Sequence, residues 1–484
     1  MARSRSSQSQ QLTLSLFDKA DLGDARVNPE TVRGGLRDVP AQTMEPTREA
    51  QVFDLLEQMV APPNMRAALK RVEQNKGASG VDGMTVDKLR PFLTAQWITL
   101  RSAILEGNYR PQPVRRVEIP KPGGGVRLLG IPTVLDRLIQ QALLQILTPI
   151  FDPHFSPASY GFRPGKRGHD AVRQAHEYVC SGHDWVVDLD LEKFFDRVNH
   201  DILMARVARS VSDKRVLRLI RRFLESGVMV NGLVGPTEEG TPQGGPLSPL
   251  LSNIVLDDLD KELTRRGHKF VRYADDCNIY VGSQRAGERV KASVTAFLED
   301  RLRLKVNNAK SAVDRPWARK FLGFTFYSKD KRIIMATASL QKVKAKIQSL
   351  TQRSAAVSMS ERIRELNQFL GGWMGYFALS EFSATFRTLD QWIRHRLRMC
   401  QWKQWKLTRT RIRKLRSLGI SESEVREAAF CRKGYWRIAQ LEPLHKALTI
   451  AYWQSKGFVA LADRYQRIRN VWRTAVCGPA CTVV

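Results

Sequence analysis

The chain has 484 residues with 78 Lys and Arg against 48 Asp and Glu, a formal net charge of +30 at pH 7. This length exceeds one ordinary hydrophobic core, so about two or three domains are expected, and a hydrophobic content of 43% excludes a disordered chain. No run of 18 apolar residues exists, so we expect no membrane partner, and the N-terminus lacks the apolar core of a secretory signal.

The positive charge is concentrated towards the C-terminus. Residues 331–484 hold 29 Lys and Arg against 9 Asp and Glu, and seven of the ten tryptophans. Positive charge interleaved with aromatic rings suits neutralisation of phosphates and stacking on unpaired bases. The alternative is a solvated helical surface with the tryptophans in the core. We expect a nucleic acid as the partner.

Six cysteines are scattered along the chain, and only Cys477 and Cys481 lie close together, in "CGPAC". No second Cys or His pair nearby completes a zinc site. We therefore expect free thiols in a reducing cytoplasm.

In the first half of the chain, a polar tail at 1–50 precedes helical spacing in "VFDLLEQMV" and "NMRAALKRVEQN" and again over 87–106. Two strands joined by a Pro/Gly turn are predicted over 113–132, and a helix over 135–147. The stretch "WVVDLDLEKFFDRVNHDILM" (185–204) begins as a buried strand and is predicted to pass into a helix near Glu192.

In the second half, "GVMVNGLVGP" (227–236) predicts a hairpin over Asn231-Gly232, and a Gly/Pro loop leads into a helix within 240–263. The stretch "KFVRYADDCNIYVGS" (269–283) predicts a strand, a tight turn and a second strand, with two acids at the tip. A helix over 288–304, a strand over 320–329 and helices from Ser339 onward complete the prediction.

The adjacent acids Asp275 and Asp276 repel each other unless a cation lies beside them. The alternative is a solvated turn, since Asp is a favoured turn residue. Along the strand at 185, Asp188 and Asp190 share one face. Two Mg²⁺ ions about 4 Å apart need carboxylates from more than one element. Either strand acid, together with the acid pair, could supply them.

Lys121 and Arg127 lie six residues apart across a Gly-rich turn, a spacing suited to a triphosphate. Together with the acids they suggest phosphoryl or nucleotidyl transfer.

At this point several stretches resemble one family, the group II intron-encoded reverse transcriptases. "YADD" at 273–276 resembles their polymerase-site motif, and the family's other blocks occur in order over roughly residues 60–330. They are "RLLGIPTVLDRLIQQAL", "SYGFRPGKRGHDAV", "DLEKFFDRVNH", "GTPQGGPLSPLLSNI", "NNAKSAV" and "KFLGFTF". Residues 365–406 resemble the family's maturase, or thumb, domain. The end of the chain is similar to the compact bacterial class C proteins.

The resemblance implies an α+β fold: a right-hand polymerase, whose fingers and palm contain an antiparallel sheet, followed by an all-helical thumb/maturase domain. The implied organisation is a flexible tail at 1–50, an extension of the fingers at 51–112, fingers and palm at 113–335, thumb/maturase at 336–430 and a short basic region at 431–484.

The resemblance also implies the catalytic residues. Asp190 matches the family's first catalytic carboxylate, which decides between it and Asp188, and Asp275 and Asp276 match the acid pair. These side chains and the backbone carbonyl of Leu191 would hold two Mg²⁺ ions, with Mn²⁺ as a substitute.

Five further residues match positions that hold the incoming nucleotide. Lys121 and Arg127 match the fingers residues that hold the triphosphate, and Gln243 matches the residue beside nucleotide and template. Phe195 matches the aromatic gate that crowds a ribose 2′-OH, and its alternative is a core phenylalanine. Lys310 matches a lysine near the pyrophosphate, a proton donor, and its alternative is a plain surface lysine.

The chain also departs from larger family members. It ends at Val484 without the paired Cys and His ligands of an HNH endonuclease, so we expect no second-strand DNA cleavage. The "VTG" tripeptide of the retron relatives is absent. Asp196 and His200 are expected to serve structure by orienting the turn into the following helix.

The resemblance therefore implies an RNA-directed DNA polymerase in a bacterial cytoplasm that binds its group II intron RNA, assists splicing and copies that RNA during mobility. Its implied partners are the intron RNA, an RNA template with a DNA primer, dNTPs and target DNA, and its oligomeric state is left open. One alternative is an RNA chaperone without catalysis. Another is a host-adopted reverse transcriptase used in DNA repair or phage defence.

Overall fold

The structure, a computed structural model, describes residues 54–120, 125–230, 233–235, 239–241 and 244–476. The predicted tail at 1–50, Lys121, Gln243, Cys477 and Cys481 lie outside the described residues. The chain forms two compact units. The first contains the described residues up to Ala171 together with Val186–Val313, and the second contains Val172–Trp185 and the described residues from Asp314 onward.

The helices of the first unit lie where apolar residues recur at three and four positions. Their bounds are α1 Leu55–Val60, α2 Pro62–Asn75, α3 Val86–Leu105, α4 Val134–Phe151, α5 Gly168–Cys180 (which continues into the second unit), α6 His200–Val207, α7 Lys214–Leu224, α8 Ser248–Arg265 and α9 Gln284–Leu302. Local signals begin several of them. The hydroxyl of Thr133 accepts a hydrogen bond from the Asp136 N–H at the start of α4, and Ser283 caps α9 in the same way. The helices predicted at 87–106, 135–147 and 288–304 are thus confirmed.

The strands of the first unit form two sheets. Their bounds are β1 Val114–Pro120, β2 Val126–Ile131, β3 Trp185–Leu189, β4 Val228–Val230, β5 Leu233–Gly235, β6 Lys269–Tyr273, β7 Asp276–Val281 and β8 Ala312–Asp314. The first sheet has the order β2-β1-β4-β5, and within it β1 pairs antiparallel with β2, and β4 antiparallel with β5. These two pairs confirm the strands predicted at 113–132 and 227–236. The turn residues Asn231 and Gly232 lie outside the described residues.

The second sheet has the order β6-β7-β3-β8 and holds the strands that carry the acids. Apolar side chains of β3, β6 and β7, among them Val187, Phe270 and Ile279, are buried in the core. Helix α8 is buried on several faces, including polar positions such as Asn253 and Asp260. A buried polar side chain needs a hydrogen-bond partner, so these positions indicate a polar network inside this unit.

The helix predicted near Glu192 is wrong, because α6 begins only at His200. Lys193 adopts a left-handed conformation with φ 50°, which an α-helix does not continue through, and a single 3₁₀ turn follows at Phe194–Asp196. The side chain of Asn199 then accepts a hydrogen bond from the Ile202 N–H and begins α6. The periodicity of apolar residues in "DLEKFFDRVNH" therefore gave the wrong starting point.

The second unit is mainly helical, as predicted from Ser339 onward. Its elements are β9 Phe324–Phe326, β10 Ile333–Met335, α10 Thr337–Leu350, α11 Met359–Phe377, α12 Ala384–Gln404, α13 Thr408–Ser417, α14 Glu422–Ala429, α15 Tyr435–Ile438, α16 Glu442–Ala447, α17 Ile450–Ser455 and α18 Leu461–Val476. The strand predicted over 320–329 is shorter than expected. Leu322 (φ 51°) and Gly323 (φ 84°) leave extended geometry immediately before β9.

Most tryptophans of the second unit belong to its hydrophobic core. Trp402, Trp405 and Trp453 are buried there, and Trp373, Trp392 and Trp472 pack against the same cluster. Trp436 is different, with 39% of its surface exposed. Of the two alternatives that the sequence left open for these rings, the core is therefore the one that holds for most of them.

Among the described residues, no helix is both long and apolar enough to cross a membrane. The described cysteines Cys180, Cys277, Cys400 and Cys431 carry free thiols, as predicted.

Candidate active site

The turn between β6 and β7 places two acids at one end of the second sheet. Tyr273 pairs with Asp276 across the hairpin, so Ala274 and Asp275 form a two-residue turn and Asp276 is the first residue of β7. Ala274 has φ 59°, which matches the first turn position of a type II′ hairpin, where Gly is preferred. The predicted strand, turn and strand are confirmed, with strain stored at Ala274.

Asp190 directly follows β3, the strand beside β7. Its backbone is held at both ends: its N–H donates to the Ser311 hydroxyl (2.9 Å), and its carbonyl accepts from the Asn307 N–H (2.8 Å). Leu191, the next residue, bridges Val306 and is buried. Tertiary hydrogen bonds therefore set the direction in which the Asp190 carboxylate leaves the sheet.

Charges from three distant parts of the sequence interact at this end of the sheet. Burial raises the pKa of Asp275 above its ordinary value of 3.8, and the negative charge of Asp190 raises it further. Arg127, in β2, opposes this shift and lowers the pKa of Asp275. The structure thus brings together Asp190, Asp275 and Arg127, which the sequence analysis could only propose to meet.

Lys310 is a further cation beside these acids. Its Nζ lies 3.4 Å from Oδ2 of Asp190, and the lysine side chain is mostly exposed. Such an exposed pair contributes little to stability, about 0–1 kcal/mol. Its placement instead puts a mobile positive charge at the edge of the acid group.

The carboxylates fit a cation in part. Asp190 and Asp275 are like charges held near each other, one of them partly buried, and a cation would relieve their repulsion. Within the part of the chain that the structure describes, however, no three His, Cys, Asp or Glu side chains are already gathered as a metal site. Asp190 and Asp275 therefore lie near enough for their charges to interact, and Asp276 adjoins them as the first residue of β7.

Gly240 and Thr241 pack against the residues that follow Asp190. The Thr241 N–H donates to the Phe195 carbonyl (2.6 Å), and Gly240, at φ 96°, lies where a Cβ would come within 2.8 Å of that same oxygen. The Phe195 ring is half-buried and meets Phe194 edge to face. Phe195 is thus available to contact a ligand, whereas its neighbour Phe194 is the core residue.

Of the two residues expected to serve structure, His200 does so directly. Its Nε2 lies 2.7 Å from the Gly240 carbonyl, which joins α6 to the 239–241 segment. Asp196 is exposed, and the helix cap expected of this region is made by Asn199 instead.

A buried arginine beneath the turn is the main feature that the sequence analysis missed. Arg272 is fully buried and donates two hydrogen bonds to Asp260, at 2.7 and 2.5 Å. It also donates to Ser159 Oγ (2.8 Å), to Asn253 Oδ1 (3.0 Å) and to the carbonyl of Ala274 (2.9 Å). The guanidinium therefore ties the turn backbone to helix α8 and to the segment at 159.

Gly161 completes this support from the other side of the turn. Its carbonyl accepts a hydrogen bond from Asn253 (2.8 Å), and a Cβ at this position would lie 2.2 Å from the Ala274 nitrogen. One signal for the network was present in the sequence: an arginine inside an apolar strand, with Asn253 and Asp260 seven residues apart on one helix face.

Two family models match the chain. Residues 119–326 match the reverse transcriptase (RNA-dependent DNA polymerase) model, and residues 340–419 match the group II intron, maturase-specific domain.

Among curated proteins, protein YkfC of Escherichia coli strain K12 is 33% identical over 299 residues, which cover 54% of this chain and 78% of YkfC. The group II intron-encoded protein LtrA of Lactococcus lactis subsp. cremoris is 37% identical over 224 residues, 46% of this chain and 37% of LtrA. A chain of a partial Cas6-RT-Cas1–Cas2 complex is similar to 52% of this chain and 43% of its own length, at 26% identity and a TM-score of 0.34. The chain thus spans most of YkfC but little more than a third of LtrA.

Proposed function

This chain belongs to the reverse transcriptases that carry a group II intron maturase domain, and we propose that it polymerises DNA on an RNA template at the β6–β7 turn. The catalytic residues of the proposal are Asp190, Asp275 and Asp276. One observation carries it: Asp190 follows β3 and Asp275 precedes the neighbouring strand β7, and the charges of Asp190 and Arg127 both act on the pKa of Asp275, although 85 residues separate the two acids in the chain.

Reverse transcriptases use divalent metal ions, and we assign two Mg²⁺, replaceable by Mn²⁺, to Asp190, Asp275, Asp276 and the carbonyl of Leu191. Bound there, such ions lower the pKa of the attacking 3′-hydroxyl and neutralise the leaving pyrophosphate. The protein itself holds the carboxylates on rigid backbone. Hydrogen bonds with Ser311 and Asn307 fix Asp190, and the tight turn fixes Asp275.

The nucleotide is placed by the residues around this acid group. Arg127, whose charge already acts on Asp275, binds the triphosphate together with Lys121. Lys310, next to Asp190, stands where it can protonate the leaving pyrophosphate. The half-buried ring of Phe195 excludes a ribose 2′-OH, and Gln243 contacts nucleotide and template.

The second unit and the basic segments bind the intron RNA and assist its splicing. The maturase-specific match at 340–419 and the 29 Lys and Arg within residues 331–484 support this role. The proposal extends to mobility: a target DNA strand primes synthesis of cDNA from dNTPs, in the cytoplasm of a bacterium.

Extension of a DNA primer annealed to RNA, with Mg²⁺ and dNTPs at low salt, tests the proposal. Asp275→Asn and Asp190→Asn should give no cDNA, whereas the natural chain gives full-length product. Asp300→Asn, which removes an exposed carboxylate from α9, is the matched control and should behave as the natural chain does. Tight RNA binding by the natural chain without any cDNA would contradict the proposal and support an RNA chaperone.

A further inference from the structure

A cavity of about 770 Å³ opens within the second unit, between α12 and the residues that follow α15. Its polar wall includes Gln391, Arg394, His395, Arg398, Gln440 and His445, and none of the residues described as lining it is acidic. A cavity of this size is typical of ligand sites, and a wall of cations and amide groups suits an anion.

The cationic wall is built mainly by one face of α12. Gln391, Arg394, His395 and Arg398 are spaced at three, four and seven residues from the first, which places them along one side of a helix. Gln391 on this side is exposed and Arg394 is half-buried, whereas the next two residues are not open to water. His395 and Arg398 retain only 8% and 7% of their accessible surface.

Arg398 is a buried cation without an anionic partner in the described part of the chain. Its Nε has no hydrogen-bond partner, and the guanidinium makes no ion pair there. The nearest acid along the helix, Asp390, is engaged elsewhere, because it accepts hydrogen bonds from the N–H groups of Leu461 (2.8 Å) and Ala462 (2.9 Å). The buried Nε of a guanidinium without a counter-charge is unfavourable, so its retention at the cavity wall points to a ligand that supplies the acceptor and the negative charge.

The neighbouring groups respond to this unbalanced charge. Burial and the charge of Arg394 lower the pKa of Arg398 to about 10. Burial, Arg398 and His445 lower the pKa of His395 to about 4, with Arg396 acting in the same direction and the Trp436 backbone opposing it. The pKa of His445 is also lowered, by burial and by Arg398. Mutual repulsion of this kind marks a positive potential that an anion would neutralise.

We propose that this cavity binds a phosphate group of the RNA backbone, with Arg398 and Arg394 as charged donors and His395 and His445 beside them. The proposal rests on the proposed RNA-binding function and names one site that carries it. Part of the wall, at Gln440 and His445, lies beyond the residues that match the maturase domain, so the site joins that domain to the C-terminal region.

An exposed aromatic ring favours RNA over a free inorganic anion. The Trp436 ring contacts the His395 ring, with centroids 3.8 Å apart, and keeps 39% of its surface exposed, unlike the tryptophans in the core. An indole beside a cationic cavity can stack on a base while the adjacent phosphate enters the cavity. A small inorganic anion has no base that could stack on the indole ring.

The first test measures binding of a single-stranded RNA oligonucleotide across a salt series by the full chain and two variants. Arg398→Met should weaken binding about 10-fold and reduce the slope of log K against log salt by about one. The matched control is Arg301→Met, which removes an exposed arginine of α9, outside the basic second unit, and should change affinity less than about 2-fold. Equal affinities and slopes for the two variants would overturn the proposal.

Stability and titration separate a ligand site from a structural arginine. In phosphate-free buffer Arg398→Met should unfold at the same temperature as the natural chain or higher, because it removes an unpaired buried charge. Inorganic phosphate should raise the unfolding temperature of the natural chain only, and should raise the pKa of both histidines in NMR titrations. A lower unfolding temperature for Arg398→Met, with no effect of phosphate on the natural chain, would show that the arginine is structural.

Two further outcomes remain distinguishable. If Arg398→Met does not fold, Arg394→Met takes its place and should likewise weaken RNA binding and reduce the salt slope. No gain in unfolding temperature is expected of it, because Arg394 is half-buried and its charge opposes the rise that burial causes in the pKa of Asp390. If inorganic phosphate raises the unfolding temperature of the natural chain while the variant keeps its full affinity for RNA, RNA is overturned as the source of the bound phosphate. If the natural chain extends primers, but the cavity variant and the control variant bind RNA equally well, the phosphate site is overturned. The proposed polymerase activity is then unaffected.

Discussion

The buried pair of Arg272 and Asp260 provides a test of how the catalytic turn is held. Arg272→Met leaves the buried Asp260 carboxylate without its counter-charge, and Asp260→Leu leaves the buried guanidinium without its counter-charge although its bonds to Ser159, Asn253 and Ala274 remain. Breaking one side of a buried ion pair costs about 3–5 kcal/mol. Both groups are fully buried, so neither charge can be recovered by water.

The double variant Arg272→Met/Asp260→Leu separates stability from function. It leaves no charge unpaired, but Ser159 Oγ, Asn253 Oδ1 and the Ala274 carbonyl each lose a donor. At about 1 kcal/mol for each lost hydrogen bond the total is about 3 kcal/mol, less than the roughly 6–10 kcal/mol expected if the two single losses added. We expect the double variant to fold yet to extend primers poorly, because the turn that carries Asp275 has lost its anchor.

Urea unfolding of the natural chain, both single variants and the double variant measures the coupling free energy. Primer extension at a temperature where the double variant is folded measures the consequence for the turn. A double variant that is folded and as active as the natural chain would refute a positioning role for Arg272. If the single variants were as stable as the natural chain, the expected loss of about 3–5 kcal/mol would be wrong. The conclusion that each of the two buried charges requires the other would then be wrong as well.

Three further predictions concern the turn and its ligands. Burial and the charge of Asp190 raise the pKa of Asp275, so the folded metal-free chain holds that proton more tightly than the unfolded chain. The contribution of Asp275 to stability should therefore fall as pH rises above 3.8, so Asp275→Asn should gain stability relative to the natural chain between pH 4 and 8, which urea unfolding of both proteins in EDTA measures. Gly161→Ala should cost about 1–3 kcal/mol in urea unfolding and slow primer extension, since its Cβ would meet Ala274; unchanged values would contradict the close approach. Phe195→Ala should raise incorporation of ribonucleotides relative to deoxynucleotides in a competition assay. An unchanged ratio would favour the alternative that Phe195 is a core residue.

The hairpin that carries the acids could be predicted because its determinants are local. Alternating apolar residues on both sides of "ADD" specify two strands, and a two-residue gap specifies a tight turn. The helix after Asp190 could not be placed correctly, since its start depends on the left-handed Lys193 and on the Asn199 cap rather than on periodicity.

The tryptophans show that the sequence alone also does not decide which aromatic rings are exposed. Composition alone is compatible with rings that stack on bases and with rings that fill a core, since both choices bring aromatic residues into a basic region. Packing between the helices of the second unit places most of these tryptophans in or against the hydrophobic core. Trp436 remains exposed beside His395. Which side of a long helix is covered depends on its neighbours, and those come from distant parts of the chain.

The sequence by itself determined the chemistry available to this protein: strand acids, an acid turn, basic residues near a Gly-rich turn and an excess of positive charge. It also determined most helices and hairpins, because their signals lie within a few residues. Only the tertiary structure decided which charges meet. Arg272 reaches Ser159 across 113 residues of sequence, and Asp190 is held by Ser311 across 121. Such contacts depend on long-range packing, whose geometry no local pattern encodes.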